Sequence, residues 1–142
     1  MLITKFIEID MGHRVPNHKS KCKNLHGHRY KIEVGVNDKV IDKVGSSEEG
    51  MVIDFGDLKD ILMKNIDAIF DHALVLDQTD KFAQEIKSFD LKTILVDFVP
   101  TAENLARYWY DILKPALQRR NIKIKHVRVW ETPTSTATYE ED

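Results

Sequence analysis

The sequence predicts an α+β protein in which two helices pack on one face of an antiparallel β-sheet, in the order ββααββ. Residues 28–36 and 123–131 alternate apolar and polar side chains, which is typical of half-buried strands. Residues 55–70 and 101–116 repeat apolar side chains at helical spacing. Because strands and helices are grouped rather than alternating one by one, the pattern favours a segregated α+β architecture.

The first half of the chain supplies two strands and their connections. Residues 2–11 mix Ile, Phe and Thr with charges and predict a first strand, which ends at His13-Arg14-Val15-Pro16. Residues 17–25 are polar and predict a loop, whereas 37–50 are rich in Asn, Asp, Ser and Gly and predict a turn or a long hairpin connection. The second strand has the clearest signal, and its residues on one face are His28, Tyr30, Ile32, Val34 and Val36.

The first predicted helix begins after Asp54, a residue type that caps helix N-termini well. Its apolar positions recur from Phe55 to Phe70. Residues 73–93 predict an irregular loop with a short helical turn around 80–87, followed by a short strand over 93–98.

The second predicted helix begins after Thr101, which can cap it. Pro115 is expected to kink this helix or to mark its last turn. Strands over 123–131 and 136–139 complete the pattern. A sheet of about four strands leaves its edges open, so we expect neighbouring subunits to cover them.

Composition restricts the classes of protein and partner. With 142 residues and 42% hydrophobic content, the chain is expected to form one domain over residues 1–142. A net charge of −2 gives no support for nucleic acid or an anionic membrane as a partner. No apolar run approaches about 18 residues, so no membrane-spanning helix is expected. A single cysteine and the lack of a signal-peptide core predict a cytoplasmic protein.

His26-Gly27-His28, at the start of the second strand, is the most informative motif. Side chains at i and i+2 of a strand project from the same face. A third histidine would complete a site for Zn²⁺ and leave its fourth position open, as in catalytic zinc sites. His13 is the natural third ligand because antiparallel neighbours bring their strand ends together, and His18 in the loop is the alternative.

Cys22, the only cysteine, precedes this motif by four residues. Three roles are open for it. It could be a fourth zinc ligand that closes a structural site, an inert small apolar residue, or a catalytic base or nucleophile whose thiolate form Lys21, Lys23 and a metal would favour.

Four further residues with acidic or imidazole side chains could take part in chemistry. Asp71-His72 follows the first helix, either as a polar terminus or as a proton-transfer pair. Glu131 ends a strand, either solvated or placed to accept two parallel hydrogen bonds from an amidine-like edge, as in guanine or pterin rings. Glu103 is expected to interact with the dipole of the second helix.

Together these motifs resemble the 6-pyruvoyl-tetrahydropterin synthase family over nearly the whole chain, and most closely its branch of 6-carboxy-5,6,7,8-tetrahydropterin synthases of the queuosine pathway. The Cys-x-x-x-His-x-His spacing resembles that branch, since the pyruvoyl-forming branch has a longer gap. The motifs that carry the resemblance are His13-Arg14-Val15-Pro16, Cys22 to His28, Gly50 to Phe55 with Leu58-Lys59, Asp71-His72, Pro100 to Leu105 and Val129 to Thr132.

The resemblance implies a T-fold, or tunnelling fold, assembled as a dimer of trimers with active sites at subunit interfaces. It implies roles for nine residues by position: zinc ligands His13, His26 and His28; a catalytic thiol at Cys22; a proton-transfer pair, Asp71 and His72, from a neighbouring subunit; a pterin anchor at Glu131; and pocket residues Thr101 and Glu103.

The resemblance also implies a carbon–carbon lyase that converts 7,8-dihydroneopterin triphosphate to 6-carboxy-5,6,7,8-tetrahydropterin, with release of acetaldehyde and triphosphate. By charge, Arg14, Lys19, Lys21 and Lys23 are plausible contacts of the triphosphate. Two alternatives stay open: a 6-pyruvoyl-tetrahydropterin synthase, which eliminates triphosphate only, and a non-catalytic zinc-binding scaffold in which Cys22 closes the site.

Overall fold

A computed structural model describes residues 1–142 as a six-stranded sheet with helices packed against one face. Its strands and helices are β1 Leu2–His13, β2 His26–Asn37, α1 Phe55–Leu62, α2 Ala68–Phe70, β3 Leu74–Asp77, α3 Lys81–Lys87, β4 Thr93–Val96, α4 Ala102–Gln118, β5 Ile124–Thr132 and β6 Ser135–Glu140. A π-helical segment, Met63–Asp67, joins α1 to α2, so the helical run ends at Phe70 as predicted. The α+β class is confirmed.

The sheet has the strand order β4-β3-β1-β2-β5-β6. The four longest strands, β1, β2, β5 and β6, pair antiparallel as the sequence predicts. Strands β3 and β4 extend the sheet beyond β1 as parallel neighbours. The prediction of an irregular loop over 73–93 is therefore wrong at residues 74–77. This short strand buries both Val75 and Leu76, so it shows no alternation.

β1 and β2 pair over twelve positions, from Leu2 opposite Asn37 to His13 opposite His26. β1 therefore ends at His13, at the start of the segment predicted to end it. Alternate side chains of both strands enter the core, and the opposite face is polar, as in the ion pair between Asp10 and Arg29. At one end of the sheet, the core face carries histidines instead of aliphatic residues.

The core lies between this sheet face and the helices, above all α4. Thr101 caps α4 by accepting a hydrogen bond from the Asn104 amide, and Pro115 lies in the last turn. Trp109 is fully buried and packs edge to face against Tyr30 of β2, at a ring-centroid distance of 6.2 Å. α4 is the longest helix at 17 residues, and no helix has the length and apolar composition that a membrane span needs.

On the face of the sheet away from the helices, Gly35 of β2 lies opposite His126 of β5. A Cβ atom at Gly35 would overlap the His126 ring. The ring is held there because His126 is buried and its Nε2 lies 3.0 Å from Glu33 Oε1. Glycine at position 35 thus gives room to a buried histidine that cross-links two strands.

We expect Gly35→Ala to destabilise the protein by about 1–3 kcal/mol, because the added methyl group forces the buried imidazole to move. Urea unfolding measures this change. The matched control is the same substitution in a His126→Ala background, where most of the destabilisation should disappear. An equal loss of stability in both backgrounds would show that the ring does not explain the glycine.

Candidate metal centre and active site

Three imidazoles meet at the end of β1 and β2. The strand register places His13 opposite His26, and His28 follows two residues later on the same face. One ring nitrogen from each residue lies within 4.8 Å of the other two, and His13 is only 2% exposed. The structure thus brings together the three histidines that the sequence predicts as ligands.

Backbone carbonyls fix the tautomers of two of these rings. His13 Nδ1 lies 2.7 Å from the Pro100 carbonyl oxygen, and His26 Nδ1 lies 2.7 Å from that of Asn24. A carbonyl oxygen only accepts, so each Nδ1 must carry a hydrogen and donate it. In the neutral rings, each Nε2 then holds an unprotonated lone pair. These two Nε2 atoms lie 3.0 Å apart, an arrangement that a shared cation stabilises.

In the third ring, that of His28, one nitrogen has no hydrogen-bond partner. His28 Nε2 is buried and makes no hydrogen bond, since the nearest carboxylate oxygen, Glu131 Oε1, is 3.7 Å away. An unsatisfied buried polar atom costs about 1–3 kcal/mol. Burial lowers the pKa of both His13 and His28; at His13 the hydrogen bond to Pro100 and then the Glu131 charge oppose this effect, and at His28 the Glu131 charge opposes it. Neutral imidazoles with converging lone pairs fit a divalent metal ion that takes nitrogen ligands.

Tyr30 packs directly against two of the three histidines. It is fully buried, and its ring packs edge to face against His13 and His28 at centroid distances of 5.9 and 5.5 Å. Burial raises the pKa of Tyr30, so the phenol stays neutral. In the sequence, the strand alternation already places Tyr30 on the same face as His28, but no motif assigns it to the site.

Cys22 lies in a short 3₁₀ turn, Lys21–Lys23, in the loop between β1 and β2. It is half-buried, and its carbonyl oxygen accepts a hydrogen bond from the Val15 amide at 2.9 Å. Its sulfur is not among the ligand atoms that lie within 4.8 Å of one another. His18, the alternative third ligand, is also outside that group, and its Nδ1 accepts a hydrogen bond from the Ser20 amide.

Asp71 and His72 form a preorganised pair at the end of α2. The two oxygens of Asp71 accept hydrogen bonds at 2.9 Å, one from the Asp10 amide of β1 and one from His72 Nδ1. The Asp10 hydrogen bond, followed by that of His72, lowers the pKa of Asp71, so the carboxylate is ionised at neutral pH. The side chains of adjacent residues touch here because His72 has a left-handed φ of 60°.

Within one chain, this pair does not join the three histidines. The His72 side chain is 75% exposed and hydrogen-bonds to Asp71, while the backbone amide of His72 donates to the Asp10 carbonyl oxygen. Lys92 supports the same turn, since its Nζ donates to the Asp71 carbonyl oxygen at 2.6 Å. The exposed imidazole is thus open to the surroundings of the chain.

The remaining predicted residues lie on two sides of the histidines. Glu131, at the end of β5, is the carboxylate nearest to His28. The segment that begins α4 reaches the site through the Pro100 carbonyl, and Thr101 directly follows it. Glu103 is exposed in the first turn of α4, where its charge complements the helix dipole.

Comparisons with known proteins agree with this fold. The sequence matches the family described as 6-pyruvoyl tetrahydropterin synthase over residues 2–142. A protein from Haemophilus influenzae named 6-carboxy-5,6,7,8-tetrahydropterin synthase is 39% identical over 143 residues, which cover 98% of each chain. One of the same name from Aquifex aeolicus is 35% identical over 99% of this chain and 98% of its own.

Solved structures support the same fold. The 6-pyruvoyl tetrahydropterin synthase of Caenorhabditis elegans has a TM-score of 0.71 at 25% identity, covering 100% of this chain and 96% of its own. An uncharacterized protein from Wolinella succinogenes has a TM-score of 0.83 at 24% identity, covering 100% and 98%. The chain belongs to the 6-pyruvoyl tetrahydropterin synthase family and has its T-fold. It is an enzyme of that family, and the curated relatives described above are named as synthases.

The glycine between two of the histidines yields a prediction. A Cβ atom at Gly27 would lie 2.9 Å from the Met11 carbonyl oxygen, so Gly27→Ala should push β2 away from β1 beside His26 and His28. We expect the affinity for Zn²⁺, measured by competition with a chromophoric chelator, to fall about 10- to 100-fold, as when other supports of metal ligands are lost.

Gly12→Ala is the matched control because Gly12 pairs with Gly27 across the strands. Its added Cβ would meet the flexible end of Leu74 at 3.2 Å, which can turn aside. A smaller loss of Zn²⁺ affinity is therefore expected for Gly12→Ala. Equal affinities for both variants and the parent protein would contradict the idea that close strand approach builds the site.

Proposed function

We propose that the protein converts 7,8-dihydroneopterin triphosphate to 6-carboxy-5,6,7,8-tetrahydropterin, releasing acetaldehyde and triphosphate, in queuosine and 7-deazaguanine biosynthesis. The observation that carries the proposal is the cluster of three histidines in which one ring nitrogen from each residue lies within 4.8 Å of the other two. The names of the curated relatives support the choice of reaction.

The proposed cofactor is Zn²⁺, held by His13, His26 and His28. Zinc accepts imidazole nitrogens in tetrahedral sites, and three protein ligands leave one position for a substrate oxygen. A bound zinc ion supplies Lewis acidity, which lowers the pKa of hydroxyl groups that it holds. The backbone carbonyls of Pro100 and Asn24 fix the ring tautomers of His13 and His26, which keeps the Nε2 atoms of these two rings ready as ligands.

Cys22 is the proposed base that removes a proton from a side-chain carbon of the substrate. Its position outside the group of three ligand nitrogens favours this role over that of a fourth ligand. Lysines 19, 21 and 23 in the same loop place positive charge where a triphosphate could bind.

His72, oriented by Asp71, is the proposed group that returns protons. The Asp71 carboxylate accepts the Nδ1 hydrogen of His72, so Nε2 is free to exchange a proton with the substrate. Because His72 is exposed on its own chain, we propose that it acts at the metal centre of a neighbouring subunit. The open sheet edges at β4 and β6 support assembly, proposed as a homohexamer formed by a dimer of trimers.

Glu131 is the proposed anchor of the pterin. An ionised carboxylate accepts two parallel hydrogen bonds from the guanidine-like edge of such a ring. Its position beside His28 would place a bound pterin side chain near the metal. Thr101 and Glu103 are proposed to line the same pocket, within a single domain spanning residues 1–142 of a cytoplasmic enzyme.

Product analysis tests the reaction. We expect zinc-loaded protein incubated with 7,8-dihydroneopterin triphosphate to release acetaldehyde and triphosphate in equal amounts, because carbon–carbon cleavage accompanies triphosphate elimination. Triphosphate without acetaldehyde would identify a 6-pyruvoyl-tetrahydropterin synthase instead. Release of neither product would favour a non-catalytic zinc-binding scaffold.

Cys22→Ala separates a catalytic thiol from a zinc ligand. We expect the variant to keep its zinc and to lose about 10²- to 10⁴-fold in kcat, the usual contribution of a general base. Elemental analysis of the purified protein and a turnover assay measure the two quantities. Loss of zinc together with activity would contradict the proposed role and assign the sulfur to the metal.

A further inference from the structure

The loop of residues 14–25 carries Cys22, yet few hydrogen bonds tie it to the rest of the protein. Most of its hydrogen bonds are internal, such as Val15 to Cys22 and Asn24 to Lys21. Two reach outside the loop: the Asn24 carbonyl accepts from the His26 ring, and the Arg14 side chain donates to Asp80. The position of the loop therefore depends strongly on these two anchors.

Arg14 and Asp80 form an ion pair at short distance, and the Asp80 side chain of the pair is buried. Arg14 Nε donates to Asp80 Oδ2 at 2.6 Å, and the Asp80 side chain is only 1% exposed. The other oxygen of Asp80 accepts from the Phe82 amide and caps α3. A carboxylate buried in this way needs a charged partner, because an unpaired one is strongly destabilising.

The pair connects to the active-site thiol through the backbone. Val15 directly follows Arg14, and its amide donates to the Cys22 carbonyl oxygen at 2.9 Å. Fixing the Arg14 side chain therefore also fixes the strand end that holds the Cys22 turn. On the other side, Arg14 directly follows His13 along the chain, so the anchor adjoins both the Cys22 turn and a residue of the three-histidine cluster.

We propose that Asp80 is a positioning residue: by holding Arg14, it places the loop that presents Cys22 to the three-histidine cluster. The catalytic part of this inference rests on the proposed function, because it assigns the chemistry to Cys22. The pair also gives Arg14 an internal partner, which removes it from the candidate contacts of a triphosphate. Asp80, at the start of α3, thus holds the loop of residues 14–25 in position.

Asp80→Asn tests the inference. Asparagine caps helices as well as aspartate does, so α3 should keep its cap while Arg14 loses its charged partner. Because Cys22 is the only cysteine, alkylation by iodoacetamide reports on this residue alone. We expect the alkylation rate at its high-pH plateau to rise about tenfold, corresponding to the loss of one charged hydrogen bond. Zinc content should not change, and kcat should fall with little change in KM.

The control is Asp54→Asn, the same substitution at the cap of α1. Asp54 accepts from the Gly56 amide and pairs with no cationic side chain, so the alkylation rate should stay at the wild-type value. Asp80→Glu, which keeps the charge, should restore most of the wild-type rate. If Asp80→Asn does not fold, Arg14→Lys provides the test, since lysine keeps the charge but not the Nε hydrogen bond.

An unchanged alkylation plateau in folded Asp80→Asn would overturn the proposal, as would an equal rise in Asp54→Asn. The alkylation assay needs no substrate, so it is independent of the proposed reaction. A wild-type protein that does not convert the pterin, combined with faster alkylation of Asp80→Asn, would keep the anchor and reject the proposed function.

Discussion

The antiparallel register of β1 and β2 is the constraint on which the site depends. It sets His13 opposite His26 and Gly12 opposite Gly27 at the last two positions of the pair. A slip of one residue would turn His13 to the opposite face, away from the core. The twelve paired positions and the buried alternation of both strands hold the register, so the stability of the sheet is also what keeps the three imidazoles together.

Two backbone carbonyls orient the rings of His13 and His26 so that their Nε2 atoms can bind a metal ion. The carbonyl of Pro100 belongs to the segment that enters α4, and that of Asn24 to the loop that carries Cys22. Each accepts from an Nδ1 atom, and each therefore directs an Nε2 lone pair toward the centre. The helix layer and the loop of residues 14–25 are in this way linked to the three-histidine cluster, and a displacement of either would change the geometry of the cluster.

The features that could be predicted from the sequence are those that depend on a single strand or helix. The alternation over 28–36 predicted β2 because one face is buried and the other is solvated. His26 and His28 were identified because two residues of one strand share a face. β3 was missed because four residues buried on both sides have no alternation. The carbonyl partners and the Arg14–Asp80 pair, 66 residues apart, depend on tertiary contacts that no local pattern encodes.

We propose that three histidine nitrogens, without sulfur, hold a zinc ion with a position left for substrate. X-ray absorption at the zinc edge of the zinc-loaded protein measures this directly, because nitrogen and sulfur ligands differ in distance. We expect only nitrogen and oxygen neighbours at about 2.0–2.1 Å. A sulfur neighbour at about 2.3 Å would place Cys22 on the metal and contradict it.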